Sequence, residues 1–84
     1  MIAYIFATCM PGQENDAISK IKKLSNVVEV NGIMGRYDVF VKVSAKKEED
    51  LHAAITGVRD VPDITRTATF AAIRGQGGSI DEKK

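Results

Sequence analysis

Residues 2–10, Ile-Ala-Tyr-Ile-Phe-Ala-Thr-Cys-Met, form an almost unbroken apolar run closed by Pro11-Gly12. A run of this length, stopped by a turn signal, reads as a β-strand covered on both of its faces. That constrains the whole chain, because something must cover each side of the sheet this strand joins. The chain has 84 residues and is 44% hydrophobic, which describes one small domain. Folds of this size bury little more than about 60% of their unfolded surface and are marginal alone. They gain stability from disulfides, metals or self-association. Cys9 is the one cysteine and His52 the one histidine, so disulfides and a structural zinc site are unexpected. Self-association is the remaining route. An unpaired cysteine without a signal peptide points to the cytoplasm.

Beyond the first strand the period of the pattern changes repeatedly. Gln-Glu-Asn-Asp-Ala-Ile-Ser-Lys-Ile-Lys-Lys-Leu places Ala17, Ile18, Ile21 and Leu24 at helical spacing, with Glu14 and Asp16 in the first turn, matching the helix dipole. The stretch 26–34 reads as a β-branched strand broken at Asn31-Gly32, where a bulge or bend is expected. After Gly35 comes Tyr-Asp-Val-Phe-Val-Lys-Val-Ser-Ala, with Val39, Val41 and Val43 on one face and Asp38, Phe40, Lys42 and Ser44 on the other. A second helix opens with Glu48, Glu49 and Asp50, carries Leu51, Ala54, Ile55 and Val58 as its stripe, and stops before Pro62. Residues 63–73 form a threonine-rich strand, and residues 75–84 read as a flexible tail.

Strand, helix, strand, strand, helix, strand predicts an α+β, ferredoxin-like βαββαβ fold. It is a four-stranded antiparallel sheet with both helices on one face. The other face is left bare, yet its residues are apolar. Such a patch normally marks an interaction site, and the expected solution is a dimeric α+β barrel packed sheet against sheet.

Composition narrows function. A net charge of +1 gives no general pull towards nucleic acid, and Lys20, Lys22 and Lys23 point in different directions on a helix. Tyr37 and Phe40 lie three apart and are expected on opposite faces, which fails the aromatic pattern of an RNA-binding sheet. No apolar run approaches the roughly 18 residues a membrane span needs. Cys9 lies in an apolar strand where thiols are inert. His52 has no partner at metal or catalytic spacing. No catalytic residue, metal or cofactor is therefore expected. The remaining stretch is Gly-Ile-Met-Gly-Arg-Tyr-Asp, residues 32–38. It could simply form a turn, with Gly35 at positive φ and Asp38 capping it. A glycine-opened loop also bares backbone N–H groups that can cradle a carboxylate. Asp38 beside it could accept from an ammonium group, and the pair would suit a free amino acid.

The set Val-Val-Glu-Val, Gly-Arg-Tyr-Asp, Asp-Val-Phe-Val-Lys-Val and Arg-Thr-Ala-Thr, in that order over residues 2–73, resembles the RAM domain. This is the regulator-of-amino-acid-metabolism module, the C-terminal effector domain of the leucine-responsive regulatory protein/AsnC family of transcription regulators. The resemblance covers residues 1–74 as one domain. It implies a non-enzymatic module whose dimers assemble into rings, commonly octamers, with amino-acid effectors bound between dimers. Carried over position by position, Gly35, Tyr37 and Asp38 become effector contacts. Thr67 and Thr69 are weaker candidates, and Met34 and Arg36 would shape selectivity. The family's helix-turn-helix domain precedes this module, whereas here the first strand starts at Ile2. The expectation is a stand-alone RAM protein that binds no DNA itself and modulates a full-length regulator or a metabolic enzyme. The alternative is a small enzyme built on the same dimer, of the monooxygenase or isomerase type, which would need His52 inside an enclosed pocket.

Overall fold

The computed structural model describes residues 1–80. Its elements are β1 (Ile2–Cys9), α1 (Glu14–Ile21), β2 (Val27–Gly32), β3 (Val39–Ser44), α2 (Glu48–Arg59) and β4 (Ile64–Ala71). The strands form one antiparallel sheet in the order β2-β3-β1-β4. The predicted βαββαβ order and the four-stranded sheet are therefore observed.

Alternation along β1 decides the architecture. Ala3, Ile5, Ala7 and Cys9 are buried, and the residues between them are half-buried. On the same side, β3 contributes Val39, Val41 and Val43, α1 contributes Ala17 and Ile21, and α2 contributes Leu51, Ala54 and Val58. Each fully buried Val or Ile stabilises the fold by about 1.5–3 kcal/mol relative to exposure. This core holds no aromatic residue.

The opposite face holds all of them. Register places Tyr4 between Lys42 and Phe70, and Phe6 between Phe40 and Ala68. Phe6 packs on Phe40, Phe70 and Tyr37 with centroid separations of 5.4, 6.1 and 5.6 Å, and Tyr4 stacks on Phe40 at 6.1 Å. Tyr4, Phe6, Tyr37, Phe40 and Phe70 are the full aromatic complement of the chain. Neither α1 nor α2 covers them, and Phe70 remains 59% exposed.

Three local expectations need correction. Tyr37 and Phe40 share a face, since both touch Phe6. The strand begins only at Val39, so the two-residue alternation does not extend back to Tyr37. The irregularity in β2 falls between Val27 and Glu29 rather than at Asn31-Gly32, which pair regularly with Phe40 and Val39. Val28, displaced by that bulge, is exposed. Finally, α1 stops at Ile21. Leu24 instead packs onto the core from the following turn, and Asn26 at φ +70 redirects the chain, a conformation asparagine tolerates. Beyond β4, residues 75–78 lie beside Met1, Ile2 and Tyr4 around a hollow of about 260 Å³. The end of the tail expected over residues 75–84 falls outside the described residues.

Candidate functional site

The loop 33–38 joins β2 to β3 at one end of the sheet. Two backbone hydrogen bonds set its ends. Ile33 N–H donates to the Asp38 carbonyl at 2.9 Å, and Asp38 N–H donates to the Ala7 carbonyl at 2.9 Å. The Asp38 carboxylate accepts the Cys9 N–H through Oδ2 at 2.8 Å. The loop is thus tied to the last residues of β1 as well as to its own flanking strands. Between its ends the chain turns at Gly35, where φ is +144°. That backbone region strongly favours glycine.

The candidate residues of this loop do come together, but they do not enclose anything. Met34 is fully exposed, and Gly35 and Arg36 are exposed beside it. Tyr37 is half-buried against Phe6, which links the loop to the aromatic face. The backbone N–H groups of Met34, Gly35, Arg36 and Tyr37 find no acceptor among the described residues. Unpaired N–H groups in an exposed loop are open to solvent or to an anion.

Thr67 and Thr69 lie elsewhere. They pair across β4 with Ala7 and Ile5, on the helix side of the sheet, and β1 separates them from β3 and the loop. One chain does not bring them to Gly35. Sequence reasoning missed Cys9 as a partner of Asp38, because a bond across 29 positions leaves no local spacing.

Other candidates are quiet. Burial pushes the Cys9 thiol above its ordinary value, and the neighbouring charges of Asp38, Glu14 and Asp63 add to the effect, as expected of an unreactive thiol. His52 is exposed on α2, so it does not supply the enclosed acid–base group an enzyme on this scaffold would need. Asp63 is paired with Lys20 at 3.0 Å. Among the described residues, no cluster of side chains could hold a metal ion and no helix is long and apolar enough to cross a membrane.

With this geometry in view, comparison with known proteins is informative. Residues 2–75 match the model of the Lrp/AsnC ligand binding domain. The HTH-type transcriptional regulator FL11 of Pyrococcus horikoshii is 27% identical over 74 residues, covering 88% of this chain and 49% of its own. The chain therefore spans about half the length of the curated relatives it matches. The crystal structure of PHS023 from Pyrococcus horikoshii superposes with a TM-score of 0.79 at 33% identity, covering 87% of this chain and 90% of that one. A feast or famine regulatory protein from M. tuberculosis, complexed with L-methionine, shares the fold with a TM-score of 0.74. It is 16% identical, and the match covers 96% of this chain and 55% of that one.

Proposed function

The chain belongs to the Lrp/AsnC ligand binding domain family, and we propose that it is an amino-acid-sensing module that self-associates through its aromatic sheet face. One observation carries this reading. All five aromatic side chains lie on the uncovered face, and the 33–38 loop, with its unpaired donors, opens at the edge of that same face through Tyr37. An uncovered apolar face seeks a partner, and a second copy supplies an equally apolar one. The loop has no opposing wall within one chain, so its pocket is completed where two dimers meet, in an assembly as large as an octamer.

In this reading Gly35 permits the turn, Tyr37 ties the loop to the dimer, Asp38 shapes it, and Met34 and Arg36 face the ligand. Thr67 and Thr69 enter only as contributions from a neighbouring copy. The FL11 relatives are regulators, and the M. tuberculosis protein was solved with L-methionine. Both support a free amino acid or a related metabolite as effector. The FL11 relatives also support a full-length regulator of this family as the partner; a metabolic enzyme is the other candidate, and no direct DNA contact is assigned to these residues. The mechanism is linkage, in which a ligand bound between dimers stabilises the assembly by its preference for that state. The setting is the cytoplasm.

Thermal shift and calorimetry against the twenty amino acids, combined with light scattering, test this. At least one amino acid should raise the melting temperature and shift the assembly upwards. A chain that stays monomeric at micromolar concentration and answers to none of them refutes the reading.

A further inference from the structure

Beyond the sheet-on-sheet contact, we infer that the free edge of β4 is a second self-association surface, where β4 pairs antiparallel with β4 of another copy about a twofold axis at Thr69. The product is one continuous sheet across two chains, with both aromatic faces on the same side.

Register shows which backbone groups face that edge. β4 is an outer strand, paired with β1 alone. Ala72 N–H donates to the Ile2 carbonyl at 2.9 Å. By the alternation of an antiparallel ladder, Phe70 and Ala68 also turn their backbone groups towards β1. Thr67, Thr69 and Ala71 turn theirs outwards, and these groups find no other partner among the described residues. Any antiparallel edge can pair with its own copy; three features favour this one. The edge is poorly guarded. β4 has 8 residues, no proline and Arg66 as its one charge, and its irregularity lies near its start, opposite Thr8 and Cys9. The opposite edge, β2, has 6 residues, Glu29 within it and a bulge that leaves Val28 exposed. Short length, charges and bulges are the devices that blunt an edge. The side chains also fit. With the axis at Thr69, Thr69 faces its own copy and Thr67 faces Ala71, and each such pair exchanges both backbone bonds. Between them Phe70 stands opposite the second copy's Ala68, a large ring against a small side chain. The two Phe70 residues are diagonal neighbours, about 7–8 Å apart. Phe70 packs on Phe6 from one side only and is 59% exposed, and the added strand covers its open side. Charge does not oppose the pairing. The two Arg66 side chains stand six positions apart, about 20 Å, beyond a screening length of about 10 Å.

The test uses the full chain carrying Cys9→Ala, so that one introduced cysteine reports the contact. Thr65 and Thr69 are both exposed. Thr69→Cys, treated with a short bis-maleimide at micromolar protein, should run mainly as a covalent dimer on a denaturing gel. Thr65→Cys, four positions from the axis, places its two thiols about 27 Å apart and should crosslink at least about tenfold less. Thr69→Pro removes an outward N–H and no bond to β1. Its circular dichroism should match the wild type while sedimentation shows association at this edge weakened at least about tenfold, leaving the sheet-on-sheet dimer. A Thr69→Cys chain that does not crosslink to itself overturns the inference and leaves the sheet-on-sheet reading standing. Crosslinking of Thr69→Cys to Glu29→Cys but not to itself does the same, by giving the edge to β2 of a facing copy. A folded Thr69→Pro with the wild-type mass also overturns it. A chain that is monomeric by light scattering removes both readings. If Thr69→Pro unfolds, the two cysteine variants decide alone.

Discussion

Phe6 and Phe40 sit directly opposite each other on β1 and β3, ring centroids 5.4 Å apart, on the side of the sheet that no helix covers. The pair adds little to the core of its own subunit, which is built from aliphatic residues on the other side. Its apolar area is available to a second copy. Phe70, flanking it at 59% exposure, gives the cleanest probe, because its replacement leaves the aliphatic core untouched. Phe70→Asp is expected to weaken self-association by at least about tenfold, since central interface aromatics are commonly worth 2 kcal/mol or more. Circular dichroism should stay that of a folded chain while light scattering reports a loss of mass. A variant that retains the wild-type mass at micromolar concentration would place the interface elsewhere.

Much of this arrangement could be read from periodicity. The apolar run of β1 required cover on both sides, and Val39, Val41 and Val43 marked out one face of β3, which the structure shows to be the helix side. What periodicity cannot reach is geometry just outside a regular element. Tyr37 falls one residue short of the pleat that would have turned it away from Phe40, so counting by twos placed it on the wrong face. The bulge at Val28 was hidden because Val27 and Val28 are equally apolar, and either can serve as the inward residue. The bond from Cys9 N–H to the Asp38 carboxylate left no trace in the sequence, because it joins segments that only the fold brings together. The sequence offered Thr67 and Thr69 as weaker candidates without placing them, and the register on β4 sets them across β1 from the loop.

Gly57 lies inside α2, where glycine costs about 0.5–1 kcal/mol relative to alanine. A Cβ built there would stand 3.6 and 3.7 Å from the two Leu24 methyls, ordinary van der Waals contact. Gly57→Ala is therefore expected to stabilise the fold by about 0.5–1 kcal/mol, measured as a higher urea midpoint at unchanged slope. A lower midpoint would mean that α2 and the turn at Leu24 pack more tightly than these distances allow.

Gly35 presents the opposite case. No atom lies within 4 Å of a Cβ at this position, but φ is +144°. A side chain there meets backbone strain rather than crowding, at a cost of order 1–3 kcal/mol. Because the loop is exposed, it can relax by changing shape. Gly35→Val should therefore leave most of the stability in place while disordering the donors of Met34 to Tyr37. Ligand binding is expected to fall by more than about tenfold, which the same strain energy amounts to in affinity. A titration that found wild-type affinity would separate the loop's backbone from recognition.

The Cys9 thiol links stability to pH in a direction that follows from its surroundings. Burial raises its pKa from the ordinary 9.0, and Asp38, Glu14 and Asp63 push the same way. The unfolded chain therefore releases this proton near pH 9.0 while the folded chain keeps it. Above that pH the native state binds more protons than the unfolded state, so the contribution of Cys9 makes stability fall as pH rises, until the folded thiol also ionises. Below about pH 8 the thiol is neutral in both states and contributes no slope. Urea midpoints for wild type and Cys9→Ala, compared across pH 7–11, isolate this contribution from the tyrosines and lysines that titrate in the same range. The difference between the two curves should be flat to about pH 8 and then turn against the wild type. Asp38→Asn should shrink that turn, because it removes the second-largest cause of the shift while keeping an acceptor for the Cys9 N–H. A difference curve that rises with pH would mean the folded thiol ionises more easily than the unfolded one, contrary to a thiol shielded by burial and surrounded by carboxylates.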